Sequence, residues 1–442
     1  MVRAYIQKTE DISNMQLRAQ VGGGIYYPFQ RYATVTLVGD HIMEMYLQFG
    51  HGMMAHTREL LKKWDTGGVI LSPRDLTEDQ LQRLGDDVLK MSRDSFLDPQ
   101  CFARDADHAR LISHTYWQMI KSHSTGAFMG GPGTAALLGE LARLGRSAGI
   151  HNHILPGLLS APAVSDDWFA FQENIIEEAP AHFDGEPLYA TVAMSSGSML
   201  DETQVEAVVE RAASWNVHGF YVVAETPSGY LVDNPSWLAN LLILVSGLKL
   251  LGKRVVVGYC NHQLLCLAAA NVDIVASGTW LNVRSFPPDK FYSPDEGDVS
   301  RRTTWYYCPQ AMSEFKLPFL DIAQRAGILG EMQPDASLGS HYASPLFRGA
   351  APTSVNWGEQ DAFRHYLTCL HTQVANARQP TYQATLDYHQ RMLDAAEQFL
   401  NRLHRHGVFG QDRDFADYFD VNRSALIIFN NARGHQLRRK WD

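Results

Sequence analysis

Cysteine is scarce and scattered, with five residues in a chain of 442. Cys260 and Cys266 stand too far apart for a C-x-x-C pair, and Cys101, Cys308 and Cys369 stand alone. That spacing excludes a metal centre built on clustered thiolates, and the odd number argues against a secreted disulfide framework. Long apolar runs are also missing. The most apolar stretch, 237–251, carries Asn240, Ser246 and Lys249, and the N-terminus has no apolar signal core, so no membrane segment is expected and the location expected is cytoplasmic. Positive charge is outnumbered, 38 basic against 48 acidic residues for a net −10, which weighs against a protein held to nucleic acid by a global basic field. Local patches remain at Arg301-Arg302 and at Arg433, Arg438, Arg439 and Lys440. No G-x-G-x-x-G followed by an acid occurs, and the glycines of 130–145 (GGPGTAALLGELARLG) lack the Lys-Ser/Thr ending of a phosphate loop, so an ordinary turn before a helix is expected there.

The chain does have a regular alternation of short apolar runs with helical stretches from about 67 to 286, the pattern of a parallel sheet covered by helices. Strands are expected at 68–72, 94–98, 153–160, 188–194, 218–224, 253–259 and 272–276, with an eighth hard to assign. In the helix of 201–215, Val205, Val208, Val209 and Ala212 recur at helical spacing. The expected fold is therefore α/β, a (β/α)₈ TIM-like barrel with an N-terminal β-hairpin extension and C-terminal helices. The extension would span 1–66, with two β-like segments flanking Gly39-Asp40. The barrel core would span 67–286, an insertion that closes the barrel 287–361, and a helical region 362–442, with Leu393, Ala396, Phe399, Leu400 and Leu403 on one face of a helix packed on the barrel.

In such a barrel the chemistry gathers where strands end. Asp98 and Glu225 each follow an apolar run (SFLD, FYVVAE) that would hold it at the rim, which makes them the candidate catalytic pair. Two carboxylates across a mouth suit glycosyl transfer or hydrolysis; the structural alternative is helix capping or pairing with Arg74 or Arg284. Arg74, Asp75, Gln100, Ser195, Ser196, Asn261, Ser277 and Arg284 are the candidate substrate-binding residues. Arg74 and Arg284 would clamp a phosphate or carboxylate unless they form rim salt bridges. His151 and His153 would share a strand face and, with Asp98, offer a metal-dependent hydrolase as an alternative. Cys260, beside Asn261-His262, reads as a small core residue before a nucleophile.

The order of these segments resembles the tRNA-guanine transglycosylase superfamily, barrel enzymes that exchange guanine for a 7-deazaguanine base in tRNA or DNA. The resemblance covers about 67–286. GGVILSPRDLTEDQLQRLG is similar to that family's opening strand and helix, SFLDPQCF to its Asp-Ser-Gly-Gly-Phe-Gln segment, and HGFYVVAETPSG to its glutamate-ending strand. KRVVVGYCNHQLLCLAAANVDIVASGTWLNVRSF is similar to its last pair of strands. The resemblance implies Asp98 as the base-recognising aspartate, Gln100 as its neighbour and Glu225 as the substrate-facing glutamate. It departs at two points: the family's nucleophilic aspartate falls on Ala276, and of its zinc cysteines only Cys308 is present. The function expected is action on a purine or 7-deazaguanine-type base or its N-glycosidic bond, in nucleic acid or a nucleotide. A non-catalytic base- or nucleic-acid-binding subunit of a larger assembly is the alternative. No cofactor is expected, and the expected partners are a purine-like base or nucleotide, DNA or RNA through the local patches, and further subunits.

Overall fold

Eight apolar segments of three to seven residues close into a parallel barrel in a computed structural model, which describes residues 42–293, 303–338 and 340–441. The barrel strands are β1 (Glu44–Gln48), β2 (Gly68–Leu71), β3 (Asp94–Leu97), β4 (Asn152–Ile154), β6 (Leu188–Met194), β7 (Gly219–Ala224), β8 (Arg254–Val257) and β9 (Ile274–Ser277). Each pairs in parallel with its neighbours. β1–β9 and β4–β6 complete the ring, and the two-residue β5 (Leu159–Ser160) flanks the end of β6. Helices α1 (Met54–Lys63), α2 (Glu78–Lys90), α3 (Thr115–His123), α4 (Pro132–Ser147), α5 (Asp166–Glu178), α6 (Ser196–Leu200), α7 (Glu202–Ala212) and α8 (Pro235–Leu250) lie between the strands. The (β/α)₈ fold expected from the sequence is the fold observed.

The strand that was hard to assign is β1. Its sequence, EMYLQ, belongs to the segment expected to be one arm of an N-terminal hairpin, yet it pairs in parallel with β2 and β9. A strand buried on both faces shows no in–out alternation, so nothing local separates it from a hairpin arm. The other arm and the Gly39-Asp40 turn lie outside the described residues. The strand expected at 153–160 divides into β4 and β5 around Pro156-Gly157, where Gly157 lies so close to Thr191 that a Cβ would sit 2.7 Å from it.

Tyrosine rings set opposite glycines fill much of the barrel interior. A Cβ on Gly68 would lie 2.7 Å from the Tyr46 ring, one on Gly219 2.5 Å from Tyr189, and one on Gly258 2.5 Å from the Tyr221 hydroxyl. At the end where the strands begin, the Tyr46 hydroxyl donates to Asp94 Oδ2 (3.0 Å) and Asn152 Nδ2 donates to Asp94 Oδ1 (3.0 Å). These bonds satisfy the polar tips that three inward side chains bring into the core.

Beyond β9 come a hairpin of β10 (Trp305–Cys308) and β11 (Ser313–Lys316), then α9 (Leu317–Arg325), α10 (Glu359–Ala377), α11 (Tyr382–Arg405) and α12 (Phe419–Arg439). The α11 face read from the sequence is buried, Leu393, Ala396, Phe399, Leu400 and Leu403 included. α8 is the most apolar segment and is buried on every side from Trp237 to Leu248, because α7, α12 and the 3₁₀ segment His262–Ala270 all pack on it. Among the described residues no helix is long and apolar enough to cross a membrane.

Candidate functional site at the barrel mouth

Asp98 follows β3 at the strand-end mouth of the barrel and is 1% exposed. Its Oδ2 accepts from the hydroxyls of Tyr221 (3.0 Å) and Tyr259 (3.1 Å), and its Oδ1 from the Gln100 backbone N–H (2.9 Å). The Asp98-Pro99-Gln100 turn makes the last bond by placing Gln100 in the left-handed region (φ 57°). Burial raises the Asp98 carboxyl to about 6, against the Gln100 N–H, the Lys290 charge and the two tyrosine hydroxyls, which all favour the carboxylate. The Tyr221 hydroxyl also lies 3.4 Å from Gln48 Oε1 at the end of β1. Gln48 Nε2 is buried and has no hydrogen-bond partner among the described residues, so one donor on the amide next to Tyr221 is unmet.

A polar layer supports this group. Gln100 Oε1 accepts from the Arg74 backbone N–H (2.9 Å), and Gln100 Nε2 donates to the Tyr259 hydroxyl (3.4 Å). Arg74 Nη1 donates to Asp75 Oδ1 (2.9 Å), while Arg74 Nε donates to the backbone oxygen of Lys290 (2.6 Å). α2 begins just beyond with the Thr77–Gln80 capping box, which ties the 72–77 turn to the helix behind it. Lys290, in the short 3₁₀ segment Pro288–Phe291 after β9, lies over the Tyr259 ring (3.6 Å to the centroid). Its Nζ donates to the Asn282 carbonyl (3.0 Å). Burial, reinforced by the Arg74 charge, lowers the Lys290 amine well below the ordinary lysine range. Phe102, Phe286 and Phe291 pack on one another beside Tyr259 and Lys290.

Four of the candidate residues therefore meet at the mouth: Asp98, Gln100, Arg74 and Asp75. The others fall into separate groups. Glu225 Oε2 accepts from the Ser196 N–H (2.8 Å) at the start of α6, and Ser195 Oγ accepts from the Ser198 N–H (3.2 Å) as the N-cap of that helix. Glu225 is thus engaged in helix capping, the structural alternative to the paired-carboxylate reading, and is not among the groups bonded to Asp98. Asn261 caps the 3₁₀ segment His262–Ala270 and holds the Tyr230 carbonyl (3.0 Å). Ser277 is buried at the end of β9 beside Tyr366. Arg284, read as an anion clamp, is 2% exposed and spends its guanidinium on Glu314 (3.2 Å) and the Gly278 carbonyl (2.9 Å), stacked on Tyr366 (3.4 Å). Burial alone would raise Glu314, but Arg284 and Arg413 hold it below the ordinary carboxylate range.

The expected metal group is not assembled. Strand alternation turns Asn152 inward and His153 outward, against Gly145 of α4 and Phe183. His151 Nδ1 (3.0 Å) and His153 Nε2 (2.5 Å) both bond the carboxylate of Glu186, while Asp98 faces into the barrel with its tyrosines. Among the described residues no cluster of three or more His, Cys, Asp or Glu side chains is placed to hold a metal ion. All five cysteines are buried, and burial raises their thiols, so Cys260 is a core residue. The glycines at 130–131 start α4 with positive φ and the Gly130 N–H bonded to Thr134 Oγ1 (2.8 Å), an ordinary helix entry. Of the basic patches, Arg433 is paired with Glu206 and Arg438 bonds Asn430; Arg301 and Arg302 lie outside the described residues.

Tyr221, Tyr259, Gln48 and Lys290 were not singled out by the sequence. Tyr221 sits inside a strand that reads as core, Gln48 in a segment that reads as a hairpin arm, and Lys290 in a Pro- and charge-rich stretch that reads as an insertion. The available signal was register: Tyr221 stands two residues beyond Gly219, on the same face of β7.

No protein-family model matches this chain, and no curated protein does. Solved structures similar to it include a deoxyribose phosphate aldolase from Aeropyrum pernix, 13% identical with a TM-score of 0.29 over 52% of this chain and 90% of that one. Xylanase 10B from Thermotoga maritima is 9% identical with a TM-score of 0.31 over 53% and 82%. The carboxyl transferase domain of Rhizobium etli pyruvate carboxylase, with pyruvate and biocytin, is 10% identical with a TM-score of 0.33 over 77% and 63%. Likenesses of this strength bear on neither substrate nor mechanism.

Proposed function

We propose that this barrel is an enzyme whose acid–base group is Asp98, and that its substrate is a purine-like base carried on an N-glycosidic bond, the class implied by the resemblance to the base-exchange transglycosylases. The observation that supports the first part is the bonding of Asp98: a buried carboxyl at the barrel mouth, held by two tyrosine hydroxyls and an amide, with burial keeping it near 6. Such a group is protonated often enough near neutral pH to hand a proton to a departing purine nitrogen, and it ionises readily enough to take one back. The unmet Gln48 donor supplies a further hydrogen bond for a base edge. Asp98 is 1% exposed, so a substrate reaches it only after groups around it give way.

The test is release or exchange of base from tRNA, DNA and free nucleosides by the full chain, followed with labelled guanine. Asp98→Asn should lower the rate about 10²- to 10⁴-fold. Glu225→Gln should change thermal stability more than rate, because Glu225 caps α6. Absence of base release from all three substrates, or an undiminished rate in Asp98→Asn, would overturn the reading. Alanine at position 276 favours a second reading, a barrel that binds such a base without cleaving its bond; saturable binding of guanine nucleosides with no release would establish it.

A further inference from the structure

We propose that Lys290 is the nucleophile of this site, attacking an electrophilic carbon at the aldehyde oxidation level, such as C1 of a pentose, and holding it covalently; this deepens the reading of Asp98 given above and rests on it. Position 276, where the resembling family has its nucleophile, holds an alanine buried in β9 and pairs with Tyr46. The other groups bonded around Asp98 are poor nucleophiles: the Tyr221 and Tyr259 phenols, which burial pushes well above the ordinary range, and the amides of Gln48 and Gln100.

Lys290 differs from these. Its amine lies over the face of the Tyr259 ring, 3.6 Å from the centroid, and the hydroxyl of that same ring is bonded to Asp98, so one tyrosine touches both amine and acid. Among the described residues no carboxylate lies within ion-pairing distance of it, and its one hydrogen-bond acceptor is a backbone carbonyl. An aromatic wall of Phe286, Phe291 and Tyr259 surrounds it. Burial of the amine disfavours ammonium, against the pull of the ring faces on a cation, and favours a lone pair on nitrogen. The segment is held in place as well, because Arg74 fixes the Lys290 backbone oxygen while bonding Asp75.

The step balances without an external reagent other than water. The Nζ lone pair forms a bond to C1, the C1–N bond to the base breaks with its electrons passing to the base, and Asp98 supplies the proton that the base takes away. The new ammonium returns a proton to the Asp98 carboxylate. Opening of the sugar ring, with that proton delivered to the ring oxygen, leaves a C1=N imine that water hydrolyses to the free sugar. With a free aldehyde the same amine adds to the carbonyl and expels one water. The leaving group thus distinguishes two sources of one chemistry, an N-glycoside and a free sugar.

Borohydride trapping tests this. The full chain is incubated with guanosine and 2′-deoxyguanosine in one arm and with D-ribose and 2-deoxy-D-ribose in the other, reduced, digested and mapped by mass spectrometry. The expected result is a mass gain of one sugar less one oxygen atom on Lys290, absent in Lys290→Met and Lys290→Arg, whose thermal unfolding reports whether they fold. Trapping in both arms supports the proposal. Trapping with free sugars alone also supports Lys290 as the nucleophile, and removes the N-glycoside from the function proposed above. Base release with no Lys290 adduct overturns the proposal while the Asp98 reading stands. No adduct in either arm, or an adduct that Lys290→Met leaves undiminished, overturns it too.

Discussion

Two tyrosine hydroxyls and a backbone amide favour the ionised form of Asp98, and burial outweighs them to leave the carboxyl at about 6. Removing one hydroxyl should therefore raise it further. Tyr259→Phe is expected to move the limb of the pH–rate profile that reports Asp98 upward, and carboxyl carbon NMR of labelled protein reads the same shift directly; an unmoved limb and resonance would show that these hydroxyls do not tune the acid. The linkage has a definite sign. A carboxyl raised in the folded state contributes stability that is fully present below its ordinary value near 4 and is lost as pH rises through about 6. Arg284 illustrates the opposite case, a buried cation committed to a partner. Glu314→Gln leaves Arg284 and Arg413 facing a neutral group, and should cost about 3–5 kcal/mol in urea unfolding. A loss under about 1 kcal/mol, the level of an exposed pair, would show the bridge to be of little structural weight.

At the scale of elements, the barrel interior depends on strands that give up a side chain where a neighbour inserts a tyrosine. Gly258→Ala puts a methyl 2.5 Å from the Tyr221 hydroxyl and should destabilise by about 1–3 kcal/mol while pulling that hydroxyl from Asp98. Gly330→Ala, with nothing within 4 Å, is the control and should stay within about 0.5 kcal/mol. Equal stabilities for the two variants would show that Tyr221 has room to withdraw. The same logic accounts for what could be read from the chain. Seven strands show as apolar runs between turn signals, because burial of a parallel strand selects β-branched and apolar residues along its whole length. β1 does not, since Tyr46 and Gln48 interrupt the run and the nearby Gly39-Asp40 suggests a turn. Glu225 and Asp98 look alike in sequence, each an acid after an apolar strand. One meets a helix N-terminus and the other two phenols only because of where α6, β7 and the 258–260 turn come to lie.

For the molecule as a whole, the C-terminal helical layer and the 3₁₀ segment His262–Ala270 against which it packs bring a pH dependence of their own. His262, His365 and His389 are at most 1% exposed, and burial lowers each to about 4. Histidines kept neutral in the fold and protonated in the unfolded chain contribute stability that is present above about 6.5 and lost as pH falls towards 4. This loss opposes, and with three groups exceeds, the single contribution of Asp98 over the lower part of that window. The melting temperature should therefore fall steadily between pH 7 and 4.5; a flat profile across that range would refute the assignment of these histidines.

The sequence by itself determined the barrel, most of its strands, the buried face of α11 and the place of Asp98 at a strand end, because each of these follows from spacing along a few neighbouring residues. Only the tertiary structure decided what those residues touch. It joined Asp98 to Tyr221, Tyr259 and Lys290, sent Arg284 to Glu314, turned His153 away from the mouth and set Glu225 to cap α6. The physical reason is that a side chain's charge state and chemistry depend on desolvation and on partners 29 to 161 residues away along the chain. Their meeting is set by barrel register and by the loops that close over it, which local spacing does not encode.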